Sequence, residues 1–157
     1  MNISENSRVW IYQSDRPFTS EEEQAIAQIL HNFTKEWQAH GNALAALTEI
    51  FYHQFIVISV DEQIAGATGC SIDKSVHLMK SIEAKFDINL FDRFRIAYKS
   101  GDEIINCSRE EFEDQIKNGH ITDQTLVFNN LITKREELKT SWNIPLAESW
   151  HAKVFSV

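Results

Sequence analysis

The run Phe55-Ile-Val-Ile-Ser-Val60 constrains this chain more than any other stretch. Five of its six residues are apolar, and there is no alternation of apolar and polar. A strand with one solvated face alternates, whereas a strand covered on both faces does not. The run is too short for a buried helix and far too short for a membrane span. It predicts a central strand, so the rest of the chain has to cover two faces of a sheet.

The neighbouring sequence offers the parts. Arg8-Val-Trp-Ile-Tyr-Gln13 is β-branched and aromatic, the composition of a second strand. Residues 47–52 read as a third, joined to the central run by a tight turn near His53-Gln54. Between the first and third lies a helix pattern. Thr19 or Ser20 caps it, Glu22 or Glu23 completes a capping box, and Ile26, Ile29, Leu30, Phe33 and Trp37 form its apolar stripe. Gly41 is the expected stop. After the central run, Ser71 is expected to cap a second long helix with Ile72, Val76, Met79, Ile82 and Phe86 inward. A strand over residues 93–99 follows, with Phe94, Ile96 and Tyr98 alternating with Arg93, Arg95 and Lys99. Ser100-Gly101-Asp102 turns it into residues 103–106, and Ser108 with Glu111 caps a short helix that Gly119 ends.

This order, βαββαβ plus one more strand and helix, predicts an α+β chain with a ferredoxin-like sandwich. The last forty residues are less regular. Residues 125–129 read as a strand, and Thr133 with Glu136 reads as a capping box opening a helix to about Trp142. Pro145 suits the first position of a final helix that contains Trp150. Phe128, Trp142, Trp150 and Phe155 need burial. The expectation is a helical C-terminal tail packed on the sheet face that the two long helices leave open. With no linker or low-complexity stretch, residues 1–157 are read as a single domain.

Composition excludes more than it proposes. Apolar residues make up 43% and charged residues 24% of the 157, a globular balance, so disorder is not expected. Fifteen Lys and Arg against 23 Asp and Glu give −8, an acidic balance that repels phosphate backbones. Nucleic acid is therefore not an expected partner, even though Arg93, Arg95 and Lys99 beside Trp10 and Tyr12 would resemble a single-strand RNA platform. No signal-peptide pattern opens the chain, no run is long enough for a membrane, and two cysteines do not make a disulfide framework. The expected compartment is the cytoplasm, with Cys70 and Cys107 reduced.

The only stretch suggesting chemistry is Gly66-Ala-Thr-Gly-Cys-Ser-Ile-Asp-Lys-Ser75. A phosphate loop needs G-x-x-x-x-G-K-[ST], so that amides wrap phosphates without interference from Cβ atoms. Lys74-Ser75 fits its end, but the glycine positions hold Thr68 and Asp73, and Asp73 puts a carboxylate where phosphate would sit. ATP hydrolysis is excluded on this ground. Cys70 precedes a helix start, where amides and the helix dipole favour a thiolate. Cysteine is also among the most buried residue types, so the first expectation is a structural Cys70 packed beneath the turn. The alternative is a thiol-dependent enzyme or small-anion sensor at Gly69-Cys70-Ser71, with Gly69, Ser71, Ile72, Asp73 and Lys74 as the anion-binding set and Cys70 as the reactive group.

The histidines His31, His40, His53, His77, His120 and His151 have no metal-site spacing, and Asp61, Glu62, Asp87 and Asp92 read as turn residues. No metal or cofactor is expected.

Three words, Val-Trp-Ile-Tyr-Gln-Ser-Asp-Arg-Pro, Gly-Cys-Ser-Ile-Asp-Lys-Ser-Val-His and Leu-Phe-Asp-Arg-Phe-Arg-Ile-Ala-Tyr, occur with a Ser149-Trp-His151 tail. Together they resemble a family of small bacterial proteins that span roughly the whole chain and sometimes carry the label "ABC transporter ATPase". The resemblance implies no activity. The label is at odds with the residues, which lack a working phosphate loop, a signature of the L-S-G-G-Q kind and an acidic Walker B strand end. The functional expectation is a non-enzymatic module that binds a partner protein or associates with itself.

Overall fold

The computed structural model describes residues 3–39 and 41–155. His40 therefore lies outside the described residues. The described chain is a mixture of five helices and three antiparallel sheets. It divides into two compact units, Met1–Phe91 with Thr133–Glu136, and Asp92–Ile132 with Glu137–Val157.

The first unit is built on the central strand. β1 spans Arg8–Gln13 and α1 spans Ser20–Glu36. Thr19 caps α1, its side chain accepting from the Glu22 amide while Glu22 accepts from the Thr19 amide. Arg16 forks onto the same Glu22 carboxylate at 2.8 and 2.9 Å. That fork, with the Thr19 amide, holds the carboxyl down at about 2. The helix stops at Glu36, four residues short of the expected Ala-His-Gly end. Gln38–Ala39 (β2) and Asn42–Ala43 (β3) form a small ribbon instead, and Gly41 sits in its turn at φ +79°.

β4 spans Ala46–Phe51 and β5 spans Phe55–Val60. Tyr52 and His53 turn between them at φ 53° and 60°. All six side chains of β5 are buried, as its lack of alternation predicts. The sheet order is β1-β5-β4, antiparallel throughout. Ile56, Ile58 and Val60 meet Ile26 and Leu30 of α1, and Met79 and Ile82 of α2, in one core.

α2 spans Gly69–Phe86. Its cap is Thr68 rather than Ser71, because Ser71 occupies the third helical position and returns the bond of a capping box. The buried stripe is accordingly Ser71, Ser75, Met79 and Ile82, while Ile72 and Val76 are only half-buried. Ser71 earns its buried place by accepting the Trp37 indole N–H at 2.9 Å through its carbonyl oxygen.

A ferredoxin-like sheet needs a fourth strand beside β1. The three strands present have the expected order, but the fourth does not join them. β6, Ile96–Ser100, pairs instead with β7, Glu103–Cys107, and with β8, Leu126–Phe128. The strand also begins three residues later than expected, since Asp92–Arg95 is a turn that leaves Phe94 exposed. β1 is met on its other edge by the segment Thr133–Glu136. Val9 N donates to Thr133 O at 2.9 Å and Arg135 N to Ser7 O at 2.8 Å. The expected capping box there is an extended edge strip.

In the second unit, α3 (Arg109–Lys117) has the expected Ser108–Glu111 capping box. α4 is a single turn, Glu137–Thr140, and β9, Asn143–Pro145, adds the last strand of the sheet β7-β6-β8-β9. Pro145 thus ends an edge strand, where its missing N–H costs nothing, instead of opening a helix. A 3-10 turn over Leu146–Glu148 leads to α5, His151–Val154. Trp142 packs on Phe128, and Phe155 on Phe112, with ring centroids 5.2 and 4.9 Å apart. Phe155 joins the second unit's core, Phe128 and Trp142 are buried against each other, Trp150 is half-buried, and the tail includes the strands β8 and β9 beside its short helical turns.

Candidate functional site

The turn 66–75 presents Cys70 differently from expectation. Cys70 is exposed at the second position of α2, and Cys107 is the buried thiol. The capping box makes this so, because it turns Ser71 inward and its predecessor outward. A cleft of about 460 Å³ lies over this helix start, lined by Gln38, Ala39, Gly41, Thr68, Gly69, Cys70, Ser71 and Lys74. Of the expected anion-binding set, Gly69, Ser71 and Lys74 reach it, while Ile72 and Asp73 do not line it.

The amides are less available than a helix start suggests. Ser71 N donates to Thr68 Oγ1 at 3.2 Å and Ile72 N to Thr68 O at 2.9 Å. Only Gly69 and Cys70 keep amides without a described acceptor. The lining holds no histidine or carboxylate to act as base for the thiol among the described residues. No group of three or more potential metal ligands occurs among the described residues.

Unit two brings together a pair the spacing did not reveal. His151 and Ser149 are both buried, with His151 Nδ1 3.0 Å from Ser149 Oγ. Ser149 Oγ donates to Leu146 O at 2.8 Å, so the hydroxyl proton is committed and Nδ1 is the donor to Oγ. Burial pushes His151 down to about 4, so it is neutral. A serine whose proton is spent on a carbonyl, beside a histidine that stacks on Trp150 and lies near Phe112, is a structural lock and not a nucleophile.

A second recess also lies in the first unit. It is a groove of about 420 Å³ between α1 and the outer edge of β4. Its helix wall carries Glu23, Ala27, His31 and Lys35 at four-residue spacing, with Leu30 at its base. Its strand wall is Ala46 to Ile50.

The register tells which backbone groups face it. Asp61 N donates to Ala45 O at 2.9 Å, so residues 45, 47, 49 and 51 direct their backbones to β5. Ala46, Thr48 and Ile50 direct theirs outward, and no described residue pairs with them there. Their side chains lie on the α1 side, since Ala46 and Ile50 join the helix-facing core. Glu49 points to the opposite face, where Arg135 forks onto it and also donates to Ser59 Oγ at 3.1 Å.

Proteins guard open edges with lysine, proline, bulges or inward charges. Ala46–Phe51 has no lysine or proline, and its one charge, Glu49, is paired with Arg135 on the face opposite the groove. The basic residues singled out in sequence lie elsewhere, in unit two, where Arg95 bonds Asn106 Oδ1 at 2.9 Å, so they form no platform with Trp10 and Tyr12 on one sheet. No described helix is long and apolar enough to cross a membrane. Compared with protein-family models, curated proteins and solved structures, the chain matches none.

Proposed function

We propose that this protein is a non-enzymatic binding module whose working surface is the outer edge of β4 and the groove beside α1. An extended polypeptide adds to β4 as a further strand. It pairs its backbone with Ala46, Thr48 and Ile50, and sets every second side chain into the groove against Ala27 and Leu30. The observation that carries this reading is the contrast between the two sheet edges. Residues 133–135 cover the start of β1, whereas at β4 the outward backbones of Ala46, Thr48 and Ile50, with no lysine or proline among the six residues, meet no described partner.

Selection from a displayed random-peptide library on the immobilised full chain tests it. Strand-forming peptides with alternating apolar residues should be enriched and should lose binding to Thr48→Pro, which deletes one outward donor. No enrichment, or peptides indifferent to that change and to amide exchange at Thr48, overturns the reading.

The thiol or anion-sensor reading has one observation in its favour, the exposure of Cys70 in the cleft beside Lys74. With no base among the described residues of the lining, it ranks second. A maleimide rate at Cys70 no faster than that of an ordinary thiol across pH removes it.

A further inference from the structure

Resting on the β4 edge as a docking surface, we infer that its partner is a second copy of this chain. Two β4 strands would pair antiparallel about a two-fold axis through Thr48, joining two three-stranded sheets into one of six.

The strand itself argues for that register. The outward-facing residues are Ala46, Thr48 and Ile50, so a two-fold at Thr48 matches outward groups with outward groups: Ala46 with Ile50 of the partner subunit, and Thr48 with Thr48 of the partner subunit. All three available positions are then used. Cross-strand threonines are a favourable pair. On the opposite face, Glu49 meets Leu47 of the partner subunit. Moving the axis one residue towards the turn would set Glu49 against its own copy, which like-charge repulsion disfavours.

The helix argues for the same axis independently. α1 runs antiparallel beside β4, since His53 Nδ1 meets Glu23 Oε1 at 2.9 Å at one end and Leu44 N donates to Trp37 O at 3.0 Å at the other. Thr48 is therefore level with the middle of α1. A two-fold there lays α1 antiparallel to its copy, with the groove-lining stripe of half-buried Glu23 and exposed Ala27, His31 and Lys35 facing itself in reverse order. Glu23 comes opposite Lys35 of the partner subunit, twice by symmetry, and the small Ala27 comes opposite the bulkier His31 of the partner subunit. A stripe reading acid, small, large, base is self-complementary only in this antiparallel sense.

Sedimentation equilibrium of the full chain over a concentration series, with two sets of variants, tests the proposal. The wild type should approach twice its 18.2 kDa. Thr48→Pro removes one donor from each copy, two bonds at the axis, and should weaken the dimer about 30-fold. Glu23→Lys sets like charges together twice and should weaken it about tenfold. Adding Lys35→Glu to Glu23→Lys should restore wild-type association, an outcome that does not depend on whether the proline variant folds. A wild type that stays monomeric overturns the proposal, and so does a dimer indifferent to both charge changes. A monomer that still takes up selected peptides at β4 would leave the docking surface standing, whereas a monomer that takes up none would remove both.

Discussion

Acid should weaken this protein through His151. The ring is buried and neutral, its Nδ1 proton is given to Ser149 Oγ, and a second proton would have to sit on Nε2 among the rings of Phe112 and Trp150. The folded histidine titrates at about 4, against an ordinary 6.5. The unfolded chain therefore takes up a proton as pH falls through 6.5, while the folded chain does so only near 4. Between those values the unfolded state binds more protons, and stability falls as pH falls. Above 6.5 the residue contributes no pH dependence, and below 4 the loss is complete. Each tenfold change in proton affinity corresponds to about 1.4 kcal/mol, so the full loss is about 3 kcal/mol.

Carboxylates titrate in part of the same window, so the measurement has to be a difference. Urea unfolding of the wild type and of His151→Leu, repeated from pH 7.5 to 3.5, isolates the histidine. Leucine leaves Ser149 its bond to Leu146 O and its backbone donor. The stability difference between the two proteins should move by about 3 kcal/mol in favour of the variant as pH falls from 6.5 to 4. A difference flat to within about 0.5 kcal/mol would show that His151 is not held neutral by burial, and would refute the reasoning.

Two further predictions concern Cys70 with Cys107, and Arg135. In native buffer a disulfide reagent should modify one thiol per chain quickly, Cys70, with Cys107 reacting only on unfolding, because burial pushes its thiol up to about 11. Two fast thiols, or none, would contradict this. Arg135→Met should cost about 1–3 kcal/mol, since it strips a fork from the partly buried Glu49 and a donor from Ser59. A double-mutant cycle with Glu49→Gln should return a coupling of about 1 kcal/mol, and zero coupling would mean that the pair does not hold the strip to the sheet.

What the sequence revealed was local. Phe55–Val60 announced itself because continuous apolarity admits few alternatives, and Thr19-x-x-Glu22 and Ser108-x-x-Glu111 announced helix starts because each box satisfies its own amides. The same signature misled at Thr133 and Glu136. There the backbone amides go to Ser7 and Glu5 across the chain, a long-range pairing that no local pattern carries. Ser71 misled in a different way. A serine serves equally as a cap or as the third residue of a capping box, and only Trp37, 34 positions away, shows which side faces the core. The destination of Ile96–Ser100 was illegible for a related reason, because strand composition does not specify a partner. The groove was hidden for the same reason. Glu23, Ala27, His31 and Lys35 read as an ordinary solvated helix face until β4 is seen to end its sheet beside them.

The most direct test of the docking edge is amide exchange at β4, residue by residue, at low and high protein concentration and with a selected strand peptide added. Ala46, Thr48 and Ile50 should gain protection as concentration or peptide rises, while Leu47 and Glu49, already bonded to β5, stay protected throughout. Exchange at Ala46, Thr48 and Ile50 that stays fast under every condition would contradict this.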